Sequence, residues 1–243
     1  PSKLDRFFEI CYFKKEFSAF PQRKTFMDLY QSQKKYFETA YRAGEHGWPV
    51  ADPSEPIVRF VHQFKKEKPS GRVLDIGCGE GRHAAFFAEQ GYQSVGLDYQ
   101  SLALARARRL VGERKPRLHF VLGDVFHLPF APGDFDVILD YGCLHHVRKR
   151  DTDAYLKSVV PLLKPGGYFL LSCFSMRFKH HPGEKRTRDW LVHNGHYDRF
   201  FKKGSFKEIF GKEFDVVHLE EERQSLYAFY HVWMRKRIVN GHA

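Results

Sequence analysis

The run VLDIGCGEGRHA, Val73 to Ala84, constrains this chain more than any other stretch. A short apolar segment ending near Asp75 passes through three glycines, Gly77, Gly79 and Gly81, into residues that read as the start of a helix. A strand that turns through Gly-x-Gly-x-Gly into a helix opens a βαβ unit and commits the chain to a mostly parallel sheet with crossover helices. Bare glycines also let backbone approach a bound group that a side chain would meet first. The same rhythm continues downstream. Strands are predicted near 72–76, 93–97, 117–121, 135–140 and 167–174, and helices near 81–91, 101–112 and 152–164. Gly91, Gly112 and the KPGG run from Lys164 act as stop signals.

Beyond Phe174 the regularity stops for roughly 30 residues, too long for an ordinary connection in a compact domain, and such insertions tend to be lids or substrate loops. A lid is therefore expected at about 175–203, holding His180, His181, His193 and His196 with Trp190 and Tyr197. A helix near 204–210, a strand near 213–220 and the run SLYAFYHVWMRKR would complete the sheet. Upstream, residues 4–46 read as one or two helices rich in Phe and Tyr, followed by the turn-rich GEHGWPVADPSEP and a hinge at KEKPSG. The expected division is a helical cap over 1–70 and a catalytic domain over 71–243.

Composition narrows the setting. With 243 residues, 42% of them hydrophobic and 16% aromatic, the chain can bury one α/β core and an appendage. No stretch approaches the roughly 20 apolar residues that span a bilayer, and PSKLDRFFEICYFKKEF mixes charge into its apolar residues, so a membrane role is not expected. Four scattered cysteines, Cys11, Cys78, Cys143 and Cys173, suggest neither a disulfide framework nor a zinc finger. A reducing cytoplasm is the expected location. The net charge of +11 is uneven: residues 71–147 hold 8 Lys+Arg against 9 Asp+Glu, while the flanks are basic. Basic flanks attract anions or nucleic acid as readily as they confer solubility.

The glycine loop excludes two ligand classes. A phosphate-binding P-loop needs Lys-Ser/Thr after its last glycine, and Arg82-His83 follow instead. The dinucleotide fingerprint is Gly-x-Gly-x-x-Gly, and here the third glycine comes one residue early. Asp75 would repel a pyrophosphate and favour an ammonium. Asp98 ends the second predicted strand, where a carboxylate can accept both hydroxyls of a ribose, and Asp124 in LGDVFHLPF can accept from an exocyclic adenine amine. An amino-acid ammonium, a ribose and an adenine without phosphate describe S-adenosylmethionine.

Through VLDIGCGEGRHA, VGLDYQ, GDVFHLPF, FDVILDYGCLHHV and LKPGGYFLLS, over about residues 70–175, the sequence resembles the class I S-adenosylmethionine-dependent methyltransferases. The resemblance implies an α/β, Rossmann-like seven-stranded sheet, mostly parallel with an antiparallel final strand. It implies that Asp75, Gly77 and Gly79 hold the methionine end, Asp98 the ribose, and Asp124 with the backbone of Val125 the adenine. Cys78, Tyr99 and Gly123 complete the expected cofactor set, and Asp140 and Tyr141 are expected to flank the methionine end.

Methyl transfer from a sulfonium is an in-line displacement whose leaving group needs no protonation, so the enzyme chiefly aligns a nucleophile and removes its proton where necessary. Nucleic-acid amino methyltransferases of this fold usually carry Asn/Asp-Pro-Pro-Tyr/Phe after the fourth strand. This chain has Asp140-Tyr141-Gly142-Cys143, and GCLHHV looks like the family's small-molecule enzymes. His145 or His146 is the expected base, with Tyr141, His196 and Tyr197 as further catalytic candidates. The N-terminal stretch is similar to thiopurine, halide/thiol and tellurite-resistance type methyltransferases, which would put Trp48 on the active-site roof with Tyr36, Phe37 and Tyr41. No metal is expected, because no acidic ligand pattern joins the histidines. The acceptor is expected to be a small molecule, anionic or thiol-like, drawn by Arg177, Lys179, Lys185, Arg186 and Arg188. An RNA or protein methyltransferase, with nucleic acid as a partner, and a non-catalytic binder of the cofactor are the alternatives.

Overall fold

In the computed structural model, which describes residues 24–44, 52–111 and 117–238, the βαβ rhythm becomes one seven-stranded sheet. Its strands are β1 (Arg72–Ile76), β2 (Gln93–Asp98), β3 (Leu118–Leu122), β4 (Phe135–Tyr141), β5 (Leu163–Phe174), β8 (Phe214–Gln224) and β9 (Tyr227–Lys236), in the order β3-β2-β1-β4-β5-β9-β8. The pairs from β3 to β5 are parallel, and β9 runs antiparallel to both β5 and β8. The order reverses at β1, so the loops after β1, β2 and β4 open onto one crevice, where sheets of this kind bind ligands. Strands covered on both faces need continuous apolar runs, and Val137, Ile138 and Leu139 of β4 are all fully buried.

The KPGG run does more than stop a helix. The register jumps from Phe135 opposite Leu163 to Val137 opposite Tyr168, so the run is a bulge inside β5. The helix before it, α5 (Thr152–Val159), ends earlier than expected and passes into a 3₁₀ turn at Val160–Leu162.

Two helices precede the sheet. In α2 (Glu55–Glu67), Pro56 sits in the first turn, where its missing N–H costs nothing, and Ile57, Phe60, Val61 and Phe64 recur at helical spacing. That stripe packs on Val137, Leu139, Leu170 and Trp233, so α2 is a flanking layer of the sheet. The turn-rich and hinge segments read from the sequence hid this helix. The opposite face is closed by α5 and α6 (Ser205–Phe210), whose Tyr155, Val159, Phe206 and Phe210 are buried against Phe169 and Val232. The remaining crossover helices are α3 (Arg82–Glu89) and α4 (Ser101–Val111).

The earlier helix, α1 (Lys24–Ala43), lies over the crevice and is pinned at several points. Gln33 donates to His146 O at 3.1 Å and accepts from Tyr197 N at 3.1 Å, while Gln100 donates to Lys34 O at 2.6 Å. Tyr30 donates to Asp151 at 2.9 Å. Trp48 and Cys11 lie outside the described residues. The expected lid contains a second small sheet, strands β6 (Trp190–His193) and β7 (His196–Arg199), joined by Asn194 and Gly195 with φ of 48° and 80°. Positive φ at both residues marks a tight hairpin turn. No helix among the described residues is long and apolar enough to cross a membrane.

If α2 is an integral layer, Phe60→Ala should lower unfolding stability by about 3–5 kcal/mol, the cost of emptying an aromatic core position. Urea unfolding followed by circular dichroism measures this, and a change under about 1 kcal/mol would show that the helix packs loosely.

Candidate active site

The glycine loop is held by backbone geometry. Gly77, Gly79 and Gly81 have φ of 67°, 56° and 80°, a region where side chains are strained. A Cβ on Gly81 would lie 2.6 Å from Phe120, so this glycine admits a neighbouring ring of the protein itself. Cys78 N donates to Leu97 O at 3.0 Å, which ties the loop to the end of β2.

Asp98 organises this loop together with the start of α4. One carboxylate oxygen accepts from Gly79 N at 2.9 Å and the other from Gln100 N at 2.8 Å. A carboxylate offers about four acceptor positions, more than these amides use, which leaves room for a ligand's hydroxyl. Burial raises its pKa to about 6, and raises Asp75 to about 8. Asp75 accepts from Ala84 N at 3.1 Å, which caps the first turn of α3 as well as facing the crevice. Asp124 stands at the rim with its side chain 53% exposed, accepting from Phe126 N at 2.9 Å. Tyr99 has a buried hydroxyl with no hydrogen-bond partner, and burial pushes its pKa well above the ordinary value.

These groups line a cavity of about 1720 Å³ with Gly77, Cys78, Gly79, Gly123, Val125 and Tyr141. A single drug-sized ligand needs roughly 300–1,000 Å³, so there is space for two. Tyr36, Phe37 and Tyr41 of α1 form its roof, and Phe174, Phe178, Tyr227 and Phe229 wall the far end.

Two expected site residues are placed elsewhere. Asp140 does not line the cavity: it accepts from Cys143 N at 2.9 Å, Leu144 N at 3.0 Å and the Tyr155 hydroxyl at 2.6 Å. Its acceptor sites are spent on the turn that carries the histidine pair. Tyr197 is likewise outside the lining, its hydroxyl accepting from Lys149 N at 3.2 Å and its ring stacked 6.0 Å from Trp190.

The histidine pair is ordered by one backbone donor. Phe174 N–H can only donate, and it meets His145 Nδ1 at 3.4 Å. The His145 proton therefore sits on Nε2 and is directed to His146 Nε2 at 3.1 Å, which leaves His146 Nδ1–H to donate to Tyr197 O at 3.1 Å. Burial holds His145 well below the usual histidine range, so it stays neutral. Its ring lies 3.7 Å from Phe174 at 12°.

Asp198 is the residue that sequence reasoning missed. Its side chain is fully buried, with His193, His180 and His196 at 2.9, 3.1 and 3.3 Å from Oδ2 and His146 at 2.9 Å from Oδ1. Burial alone would raise its pKa, but the four imidazoles hold it far below the carboxylate range. The signal was present in the spacing His193-Asn-Gly-His196-Tyr-Asp198, which a hairpin folds onto one face.

The fold and crevice thus define a Rossmann-like protein whose glycine loop is tied to a buried Asp98 and is followed by no lysine. The family model described as a methyltransferase domain matches residues 73–167. The chain is 30% identical over 146 residues to the 2-heptyl-1-hydroxyquinolin-4(1H)-one methyltransferase of Mycobacteroides abscessus, an alignment covering 57% of this chain and 63% of that protein. It is 34% identical over 108 residues to a demethylmenaquinone methyltransferase of Beutenbergia cavernae, covering 44% of this chain and 42% of that one. In both cases the chain spans less than two thirds of the relative's own length. Among solved structures, the Burkholderia thailandensis 1,6-didemethyltoxoflavin-N1-methyltransferase, with bound 1,6-didemethyltoxoflavin and S-adenosylhomocysteine, matches with a TM-score of 0.72 and 25% identity, covering 91% of this chain and 94% of that one. Over the matched segment the chain is similar to the class I S-adenosylmethionine-dependent methyltransferase family.

The crevice suits that family's cofactor. Asp98 has unused acceptor positions and the Tyr99 hydroxyl is unspent, while the loop has no Lys-Ser/Thr for phosphates. Affinity should follow the ionised form of Asp98. Asp98 of the empty protein is protonated below about pH 6 and Asp75 below about pH 8, so affinity for S-adenosylmethionine should fall as pH drops below 8 and fall more steeply, by up to about a further tenfold per unit, below 6. Calorimetric titration across pH 5–8 tests this, and Asp98→Asn should remove the added steepness below pH 6 and weaken binding by about 1–3 kcal/mol. An unchanged steepening below pH 6 in the variant would assign that titration to another group.

Proposed function

We propose that this chain transfers a methyl group from S-adenosylmethionine to a small, flat, ring-containing acceptor. The observation that carries this reading is the aromatic far end of the cavity, in a space larger than one ligand needs. Phe174 and Phe178 stack at 4.0 Å, and Tyr227 and Phe229 at 5.5 Å and 14°. Such walls favour a planar guest in offset or edge contact. The Mycobacteroides and Burkholderia relatives act, by their names, on a hydroxyquinolinone and on 1,6-didemethyltoxoflavin.

Cofactor binding falls to Asp75, Asp98, Asp124, Tyr99 and the backbone of Gly77, Cys78, Gly79, Gly123 and Val125. When bound, S-adenosylmethionine supplies an electrophilic methyl on sulfur. His146, with Nε2 toward His145 and Nδ1 held by Tyr197 O, lines the cavity with its ring fixed, and we assign it to packing against the acceptor. His145 supports it from behind, and Tyr141 and His196 close the sides.

The cations of the lid do not support an anionic acceptor. Arg177 pairs with Glu221 at 2.6 Å, Arg186 with Glu184 at 2.6 Å, and none of Arg177, Lys179, Lys185, Arg186 and Arg188 lines the cavity. The acceptor is accordingly one recognised by its rings. The three described cysteines, Cys78, Cys143 and Cys173, are free, which supports a reducing, cytoplasmic setting.

Turnover of S-adenosylmethionine to S-adenosylhomocysteine against heteroaromatic alcohols, amines and thiols should identify an acceptor. Phe229→Ala should then raise its KM roughly tenfold, about 1.4 kcal/mol, and leave cofactor affinity unchanged. Transfer only to RNA, with affinity falling steeply with salt, would overturn the small-molecule reading. Tight cofactor binding without turnover on any acceptor would favour a non-catalytic role.

A further inference from the structure

The lid hairpin carries a feature that methyl transfer does not require. His193 ends β6 directly opposite His196 in β7, and Asp198 comes two residues later, so all three side chains share one face of the ribbon. His180, from the arm leading into the hairpin, joins them with its ring 4.2 Å from that of His193. One ligand atom from each of His180, His193 and Asp198 lies within 4.8 Å of the others.

Hydrogen bonds in good geometry account for only part of this convergence. Of the imidazole nitrogens around Asp198, His193 Nε2 reaches Oδ2 in hydrogen-bonding geometry at 2.9 Å. His180 Nε2 is 3.1 Å from the same oxygen, yet it is buried and has no hydrogen-bond partner. Asp198 Oδ1 is also buried without one, although His146 Nδ1 is 2.9 Å away. Donor atoms that crowd together without pointing at each other are expected when they point at a shared centre. For bonds of about 2.0–2.1 Å in a tetrahedral site, neighbouring ligand atoms stand about 3.3 Å apart, and the distances of 2.9 and 3.1 Å from Oδ2 approach that value.

We propose that His180, His193 and Asp198 form a binding site for a divalent transition-metal ion of the zinc type. Two imidazole nitrogens and one carboxylate oxygen suit zinc, cobalt or nickel, whereas magnesium and calcium prefer all-oxygen sets. All three residues line the large cavity, so the remaining coordination position faces the acceptor end, and three protein ligands with one open position is the pattern of reactive zinc sites. His196 Nε2, 3.3 Å from Oδ2, stands beside the carboxylate from outside the trio. An ion there would offer the open position to water or to a donor atom of the acceptor.

The full chain, stripped with chelator, can be titrated with zinc by calorimetry and with cobalt by its visible absorption. One equivalent should bind, and cobalt should show the intense bands of a four- or five-coordinate site. His193→Ala and Asp198→Asn should each weaken zinc by more than roughly 100-fold, beyond the loss of an outer partner, while His181→Ala should change nothing. Asp198 is fully buried, but His193 is 28% exposed on the hairpin, so its variant carries the test if Asp198→Asn does not fold. Absence of binding, or equal affinity in wild type and His193→Ala, would overturn the site. Cofactor affinity measured on the same samples keeps that result separate from the methyltransferase reading.

Discussion

The buried carboxylate of Asp98 joins the parts of this molecule that make a site. It accepts from the glycine loop on one side and from the start of α4 on the other, and so fixes the loop after β1 against the end of β2. Without that anchor the left-handed glycines would be free to sample other turns. With it, the backbone is shaped before a ligand arrives, and the carboxylate itself lines the crevice. Burial is the opposing cost, because it drives the pKa up toward the working range.

A second constraint comes from above. Gln33 binds both the histidine turn, through His146 O, and the lid hairpin, through Tyr197 N. One side chain of α1 therefore connects two segments that border the large cavity. Tyr197 contributes through its backbone to this connection and through its hydroxyl to Lys149, which explains why it is absent from the cavity wall. The aromatic end depends on the same framework: His145 lies against Phe174, and Phe174 against Phe178 and Phe200.

The sheet was legible because period and punctuation agreed, and β1, β2, β4 and the crossover helices fall where apolar runs and glycines put them. Helix α2 was hidden because Pro53–Pro56 and Lys66–Gly71 look like linker at both ends, while the burial that defines the helix comes from strands distant in sequence. The hairpin was hidden for the opposite reason. Its Asn-Gly turn is a strong local signal, but the surrounding histidines and charges obscured the alternation. Asp140 was misplaced because a strand-end acid has the same appearance whether it meets a ligand or caps the next turn. Only the amides of Cys143 and Leu144 decide between them.

We propose that the crevice selects a ribose-bearing amino-acid derivative without phosphate, held by carboxylates at the edge of the parallel strands. Competition calorimetry of S-adenosylmethionine against NAD and ATP addresses that selection directly. The sulfonium compound should bind in the micromolar range, a free energy of about −8 kcal/mol, with no displacement by either nucleotide. Tight binding of NAD or ATP, with no heat from S-adenosylmethionine, would contradict it.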